Sequence, residues 1–301
     1  MDWVSIAILG TIALGLVHIT DSHLISRRMP SLRAYLLPVS VVILIYSLVT
    51  FCLFPLPEGV DAWPLLVAVA SGVLRATSVA ILIYILKTEE VSWAIPLFHT
   101  YPVFVAIMAV PLLGETLGYL HWLAIVIIVG GALIISAKRS PGGSTTWLGR
   151  PFFLLIGASL MMATADVASK YALNYISFWN MYWIGSFCLS GIYLLFSLRP
   201  CVLREFGNMP WRNPVMAVIA GNETLAMVGI VLVFWAMESG PVSLVSTITG
   251  SRPIFVFVMA LILNRALPDF LLEGQPGRRA LVVRLIATAM IAGGIAIIYL
   301  A

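Results

Sequence analysis

The 301-residue chain is 61% hydrophobic and 10% charged, with a mean hydropathy of +1.05. A water-facing surface calls for about 25% charged residues, so a soluble globular domain is excluded and lipid must be the chain's main solvent. The formal charge of +4 and pI near 9.1 do not mark a nucleic-acid binder, because the basic residues lie in short loops between apolar runs rather than on one face.

A spanning helix needs about 20 mostly apolar residues, since every backbone polar group must be satisfied inside the segment. Ten runs meet this requirement, near 3–24, 34–54, 63–87, 91–113, 118–137, 150–173, 177–198, 212–237, 241–264 and 281–300. The first opens at Met1-Asp2-Trp3-Val4 with no basic n-region and no small-residue cleavage site, so it is expected to persist as a transmembrane helix. Turn chemistry punctuates the chain at Pro55-Leu56-Pro57-Glu58-Gly59, Ser140-Pro141-Gly142-Gly143, Glu238-Ser239-Gly240-Pro241 and Gly274-Gln275-Pro276-Gly277. No connection is long enough to fold as a domain, so function must lie inside the helix bundle. Trp3, Trp63, Trp122, Trp147, Trp211 and Tyr299 fall near run ends, as an interfacial belt does; Trp93, Phe98, Trp179, Tyr182, Trp183 and Trp235 do not.

Orientation follows from Lys and Arg. The loops after runs 1, 3, 5, 7 and 9, with their helix ends, hold Arg27, Arg28, Arg33, Lys87, Lys138, Arg139, Arg150, Arg199, Arg204, Arg212, Arg265, Arg278, Arg279 and Arg284. The opposite side holds Lys170, while Arg75 and Arg252 fall within runs. Positive-inside bias therefore puts these loops in the cytoplasm and both termini outside.

The two halves of the chain share text. Glu90-Val91-Ser92 precedes run 4 as Pro241-Val242-Ser243 precedes run 9, and His99-Thr100-Tyr101-Pro102-Val103-Phe104 aligns with Gly250-Ser251-Arg252-Pro253-Ile254-Phe255. Trp63-Pro64 matches Asn213-Pro214, and Gly130-Gly131 matches Gly293-Gly294. Two repeats are expected, 1–140 and 141–301. Five helices per repeat turn the second copy upside down, a recurrent plan of secondary transporters with a site at the midplane.

The run Pro111-Leu112-Leu113-Gly114-Glu115-Thr116-Leu117, followed by His121-Trp122 and Gly130-Gly131, resembles the end of an EamA-type repeat of the drug/metabolite transporter superfamily. The resemblance implies an all-α integral membrane protein of ten transmembrane helices in two inverted five-helix repeats. It also implies a solute pathway lined by helices 1, 3, 4, 6, 8 and 9. The second half departs from the pattern with Asn264-Arg265 in place of the Gly-Glu pair, and family members are usually drawn with cytoplasmic termini.

Ionisable groups deep in a bilayer cost about 2.5–3.5 kcal/mol each on insertion scales and usually face a bundle interior or a wet cavity. Arg75, Glu223 and Arg252 fall at mid-depth of runs 3, 8 and 9, with His99 and Tyr101 close to mid-depth in run 4. A structural ion pair and a polar solute cavity both fit them; as a cavity, two arginines against one carboxylate favour a solute with an anionic group. Substrate-binding candidates are Arg75, His99, Tyr101, Asn222, Glu223, Thr249 and Arg252, the last two sharing a helical stripe with Ser246. Glu223 is the first candidate for proton coupling. His18 with Asp21, and Asp166 with Lys170, are pairs one helical turn apart near run ends; they read as water-reached pairs or as gates and relays. Glu115 reads as a turn and cap.

No phosphate-cradling glycine loop, nucleophile elbow or metal-binding His/Cys cluster occurs, and Cys52, Cys188 and Cys201 form no disulfide framework. No enzyme activity, cofactor, metal or nucleic-acid partner is expected. The expectation is a secondary transporter for a small polar metabolite with an anionic group, amino acid or organic acid in kind, working by alternating access. It would work as a monomer, with protons as one candidate coupling ion, in the cytoplasmic membrane if the source is bacterial. A flippase for an anionic lipid or lipid-linked sugar is the alternative within transport, and an intramembrane lipid-modifying enzyme the alternative outside it.

Overall fold

The computed structural model describes residues 2–85, 97–136, 150–209, 212–256, 258–259 and 278–300. Lys87, Trp93, Lys138, Arg139, Trp147, Trp211, Asn264, Arg265 and the turns at 140–143 and 274–277 lie outside the described residues. Every regular element among the described residues is a helix. Its elements are α1 (Trp3–His23, continued by a π-helical turn, Leu24–Arg28), α2 (Leu32–Leu53), α3 (Ala62–Ile85), α4 (Tyr101–Leu113), α5 (Tyr119–Ser136) and α6 (Arg150–Ala172). After these come α7 (Phe178–Ser197), α8 (Pro200–Gly207), α9 (Arg212–Ser239), α10 (Val242–Gly250) and α11 (Arg278–Leu300).

Local chemistry sets several boundaries. The Ser31 hydroxyl accepts from Ala34 N–H at 3.2 Å to start α2, and a Ser177/Asn180 capping box starts α7. Gly114 ends α4 in the left-handed region at φ 68°, which only glycine enters without steric cost. The short α8 leaves α7 at 91°, and the Ser31 hydroxyl ties it to the α1–α2 turn through Glu205 at 2.9 Å.

Among the described residues, five helices are long and apolar enough to cross a membrane: α1 with its extension, α2, α3, α6 and most of α9. The bent pair α7–α8 gives a sixth, and shorter apolar helices run over Tyr101–Leu113, Tyr119–Gly131 and Ile286–Leu300. The outer surface is apolar: Leu9, Ile45, Leu48, Leu66, Ile107 and Leu195 are exposed, whereas Thr11, Ser40, Ser71, Asp166 and Glu223 are buried. That inverts the arrangement of a water-soluble protein and suits a lipid solvent.

Runs 4 and 9 depart from the sequence expectation. Each is interrupted at its X-Pro step rather than continuing as one helix. Residues 97–98 are helical, 99–100 form a turn, and α4 starts at Tyr101; in run 9, α10 ends at Gly250 and helix resumes at residue 252. Pro102 and Pro253 each remove an amide donor and crowd the carbonyl four residues back. Both chains bridge the gap with a tight i→i+3 bond, Val103 N–H to Thr100 O at 3.1 Å and Ile254 N–H to Ser251 O at 3.0 Å.

The tightest packing joins the first part of the chain to the second: α1 lies on α9, α3 on α6, α2 on α7, α4 on α10 and α5 on α11. Small residues allow these approaches. A Cβ on Gly10 would stand 3.0 Å from the Gly229 carbonyl oxygen. Gly131 fits under Ile291 while Gly294 fits under Ile128, so the contact is reciprocal. Dispersion between closely approaching backbones is what holds helices together where lipid removes the hydrophobic drive.

Candidate functional site

The two interruptions meet at the centre of the bundle, where a Cβ on Gly250 would come 2.7 Å from the Pro102 ring. Pro102 leaves the Phe98 carbonyl without its helical donor, and the Ser159 hydroxyl of α6 supplies one at 2.9 Å. Around this junction the deep ionisable residues sort into three groups.

The first holds Arg75. Its Nη2 donates to Asp166 Oδ1 at 2.8 Å and to the Ser169 hydroxyl at 3.3 Å, and its guanidinium lies 5.4 Å from the centre of the Phe234 ring. The other carboxylate oxygen of Asp166 accepts from the Ser246 hydroxyl at 2.5 Å. Asp166 is 2% exposed, so the expected water-reached pair with Lys170 does not form. One turn apart on α6, the two side chains turn to different neighbours: Asp166 meets α3 and α10, while Lys170 Nζ donates to the carbonyls of Met237 and Glu238 at the end of α9.

The second group joins two carboxyls. Asp21 Oδ1 accepts from the Tyr35 hydroxyl at 2.6 Å and from Asn222 Nδ2 at 2.5 Å, and buried Glu223 lies within electrostatic reach of both Asp21 and Tyr35. Glu223 therefore does not face Arg75, and the expected excess of two arginines over one carboxylate is corrected: Asp166 neutralises Arg75.

The third group holds Arg252. Its Nη1 lies 2.9 Å from His18 Nε2, and its buried Nε–H has no partner among the described residues; the same is true of His99 Nδ1 and Asn222 Oδ1. Arg75–Asp166 is the ion pair among the described residues, so Arg252 has no carboxylate counterpart there. His18 is exposed on α1, the helix that packs on α9 and α10. The His99 ring lies 6.4 Å from that of Tyr101, whose hydroxyl contacts the Ser246 carbonyl at 3.4 Å. Of the stripe on α10, Ser246 serves Asp166 and the Thr249 hydroxyl bonds back to the Val245 carbonyl at 2.5 Å.

Trp183 and Asn180 donate to the Phe54 carbonyl, Trp179 stacks on Phe54 and Trp235 on Phe178, so these aromatics pack helix ends. Tyr35 and Ser169 were not foreseen. Ser169, three residues beyond Asp166 on α6, could have been found from that spacing; a tyrosine near a run end reads as belt. Among the described residues no His/Cys/Asp/Glu group could hold a metal ion. An open apolar groove between α5 and α11, lined by Ile127, Met290 and Ile297, faces away from the polar groups.

An apolar exterior, spanning helices and buried polar groups at paired helix interruptions define a multi-pass integral membrane protein of transporter class. The EamA-like transporter family model matches residues 1–137 and 150–272, and the chain belongs to that family. It is thus a membrane transporter of the drug/metabolite superfamily, with a small-molecule substrate. None of the curated proteins matches it. A solved structure titled "Crystal structure of protein" is similar at 19% identity and a TM-score of 0.67, covering 99% of this chain and 95% of that one, which shows a shared fold.

Proposed function

We propose that the protein is a secondary transporter that moves a small polar metabolite bearing an anionic group, of amino-acid or organic-acid kind, by alternating access. Arg252 is the observation that carries this reading. With Nη1 engaged by His18, its buried Nε–H is left without a protein partner among the described residues, and the guanidinium edge that carries Nε–H is the one that pairs with the two oxygens of a carboxylate. A cation held at the centre of a bundle without a counter-charge is costly, and an anionic solute would supply one. His99 and Tyr101 supply further polar atoms at the same junction.

The same reading takes the chain as ten spans in two inverted halves, 1–140 and 141–301. Cross-half helix pairing, the matched interruptions and the reciprocal Gly131/Gly294 contacts support it. The Asp21–Glu223 pair is the site proposed to exchange protons with transport, and the termini are proposed to lie outside. Thermal-shift measurements on the purified protein, across organic acids, amino acids, sugar phosphates and lipid head groups, test the solute class. Stabilisation by a carboxylate-bearing solute in the wild type and its loss in Arg252→Gln is expected. Equal stabilisation of both proteins would remove the proposal.

A further inference from the structure

The turn between α9 and α10 is clamped at both of its helix ends by side chains from elsewhere in the chain. Glu115 Oε1 accepts the Val242 N–H at 2.5 Å, while its Oε2 accepts the Ser243 N–H at 3.3 Å and the Ser243 hydroxyl. Lys170 Nζ donates to the last carbonyls of α9, Met237 O at 2.6 Å and Glu238 O at 3.1 Å. A carboxylate on the first amides of one helix and an ammonium on the final carbonyls of the helix before it each oppose the local helix-end charge. Trp3 closes the turn from a third side, packed so tightly on Gly240 that a Cβ there would fall 2.5 Å from its ring. Beneath the turn, Val4, Ile176, Met181, Met237, Val242 and Leu244 are buried in one apolar cluster.

This end of the bundle, where the chain starts, is therefore sealed. Beyond the far end of α10, by contrast, His18 is exposed and Arg252 is half-buried. From the clamp at residues 242–243 runs α10, a buried nine-residue helix that ends at Gly250, followed by a turn at Ser251 and by Arg252 where helix resumes. A rod fixed at one end by polar bonds and joined at the other by a tight turn can swing once the bonds are released.

We infer that Glu115 and Lys170 are gate residues: they hold the terminal face shut, and both must release the α9–α10 turn for the Arg252 site to open there. The inference builds on the transporter reading above, and its test needs no solute, so the two can fail separately. Cysteine replaces Thr249 in a background with Cys52, Cys188 and Cys201 changed to serine, and a membrane-impermeant thiosulfonate is applied from the terminal face. Glu115→Gln and Lys170→Met are each expected to speed labelling on the order of tenfold, the effect of removing a charge-assisted hydrogen bond from a two-state equilibrium. An unchanged rate in both variants overturns the gate. Should these variants fail to fold, Glu115→Cys with Ser243→Cys in the same reporter background decides the matter. A short, reducible bis-thiosulfonate cross-link is expected to abolish terminal-face labelling of Thr249→Cys, with reductant restoring it, whereas labelling that ignores the cross-link rejects the gate.

Discussion

Arg252 and Arg75 carry the same charge and yet meet different partners. Arg75 is neutralised by Asp166 and braced by Ser169, so its loss is expected to act on stability first. Removing one partner of a buried pair typically costs about 3–5 kcal/mol, and the partial exposure of the Arg75 side chain, 30%, places Arg75→Met toward the low end. Asp166→Leu in the same chain is expected to recover part of the loss, because it removes the stranded carboxylate; unfolding in mixed micelles would read both. Arg252 makes no such pair among the described residues, so Arg252→Gln is expected to leave the melting temperature within a few degrees while weakening solute binding by about 10- to 100-fold, as for the loss of a charged hydrogen bond. These depths were legible in the sequence, but the partners were not. Depth along a run follows from counting, whereas Arg75 finds Asp166 rather than Glu223 because α3 lies on α6, a choice made by tertiary packing.

At the level of helices, the interruptions in runs 4 and 9 are the feature on which the site depends. The X-Pro text was visible twice, as an anchor of the expected repeats and not as a break in either run. Its effect was not visible, because a proline in an apolar run is compatible with a kinked span as well as a break. The close crossing of α1 and α9 is likewise hidden in text where glycines are common. Its test is steric: at Gly10 the obstacle is the backbone carbonyl of Gly229, which cannot turn aside. Gly10→Val is expected to part the two helices and destabilise the fold by about 1–3 kcal/mol, the range for overpacked interiors. Gly157, where nothing stands within 4 Å of a Cβ, is the control: Gly157→Ala is expected to be neutral or mildly stabilising in the same melting assay.

Across the whole molecule, the proposed orientation, read from charge distribution, opposes the way family members are usually drawn. Two native cysteines can decide it. Cys201 on α8 stands beside Arg199 and Arg204, whereas Cys52 is near the far end of α2, and both are exposed. In single-cysteine proteins in sealed cells, an impermeant maleimide is expected to label Cys52 from outside and Cys201 only after lysis; the reverse pattern would invert the topology. Composition made the membrane class legible, and the Pro-Leu-Leu-Gly-Glu text made the family legible. The identity of the solute was never in the helical pattern, because it depends on which polar atoms are left unpaired once the helices have packed.

Solute counterflow in proteoliposomes tests the central claim most directly. Vesicles holding the purified protein and loaded with the carboxylate-bearing solute that best stabilises it should accumulate the labelled solute transiently. The accumulation should fall to the level of empty vesicles with Arg252→Gln. Counterflow that persists undiminished in Arg252→Gln, or none with any anionic solute in folded wild-type protein, would contradict the account.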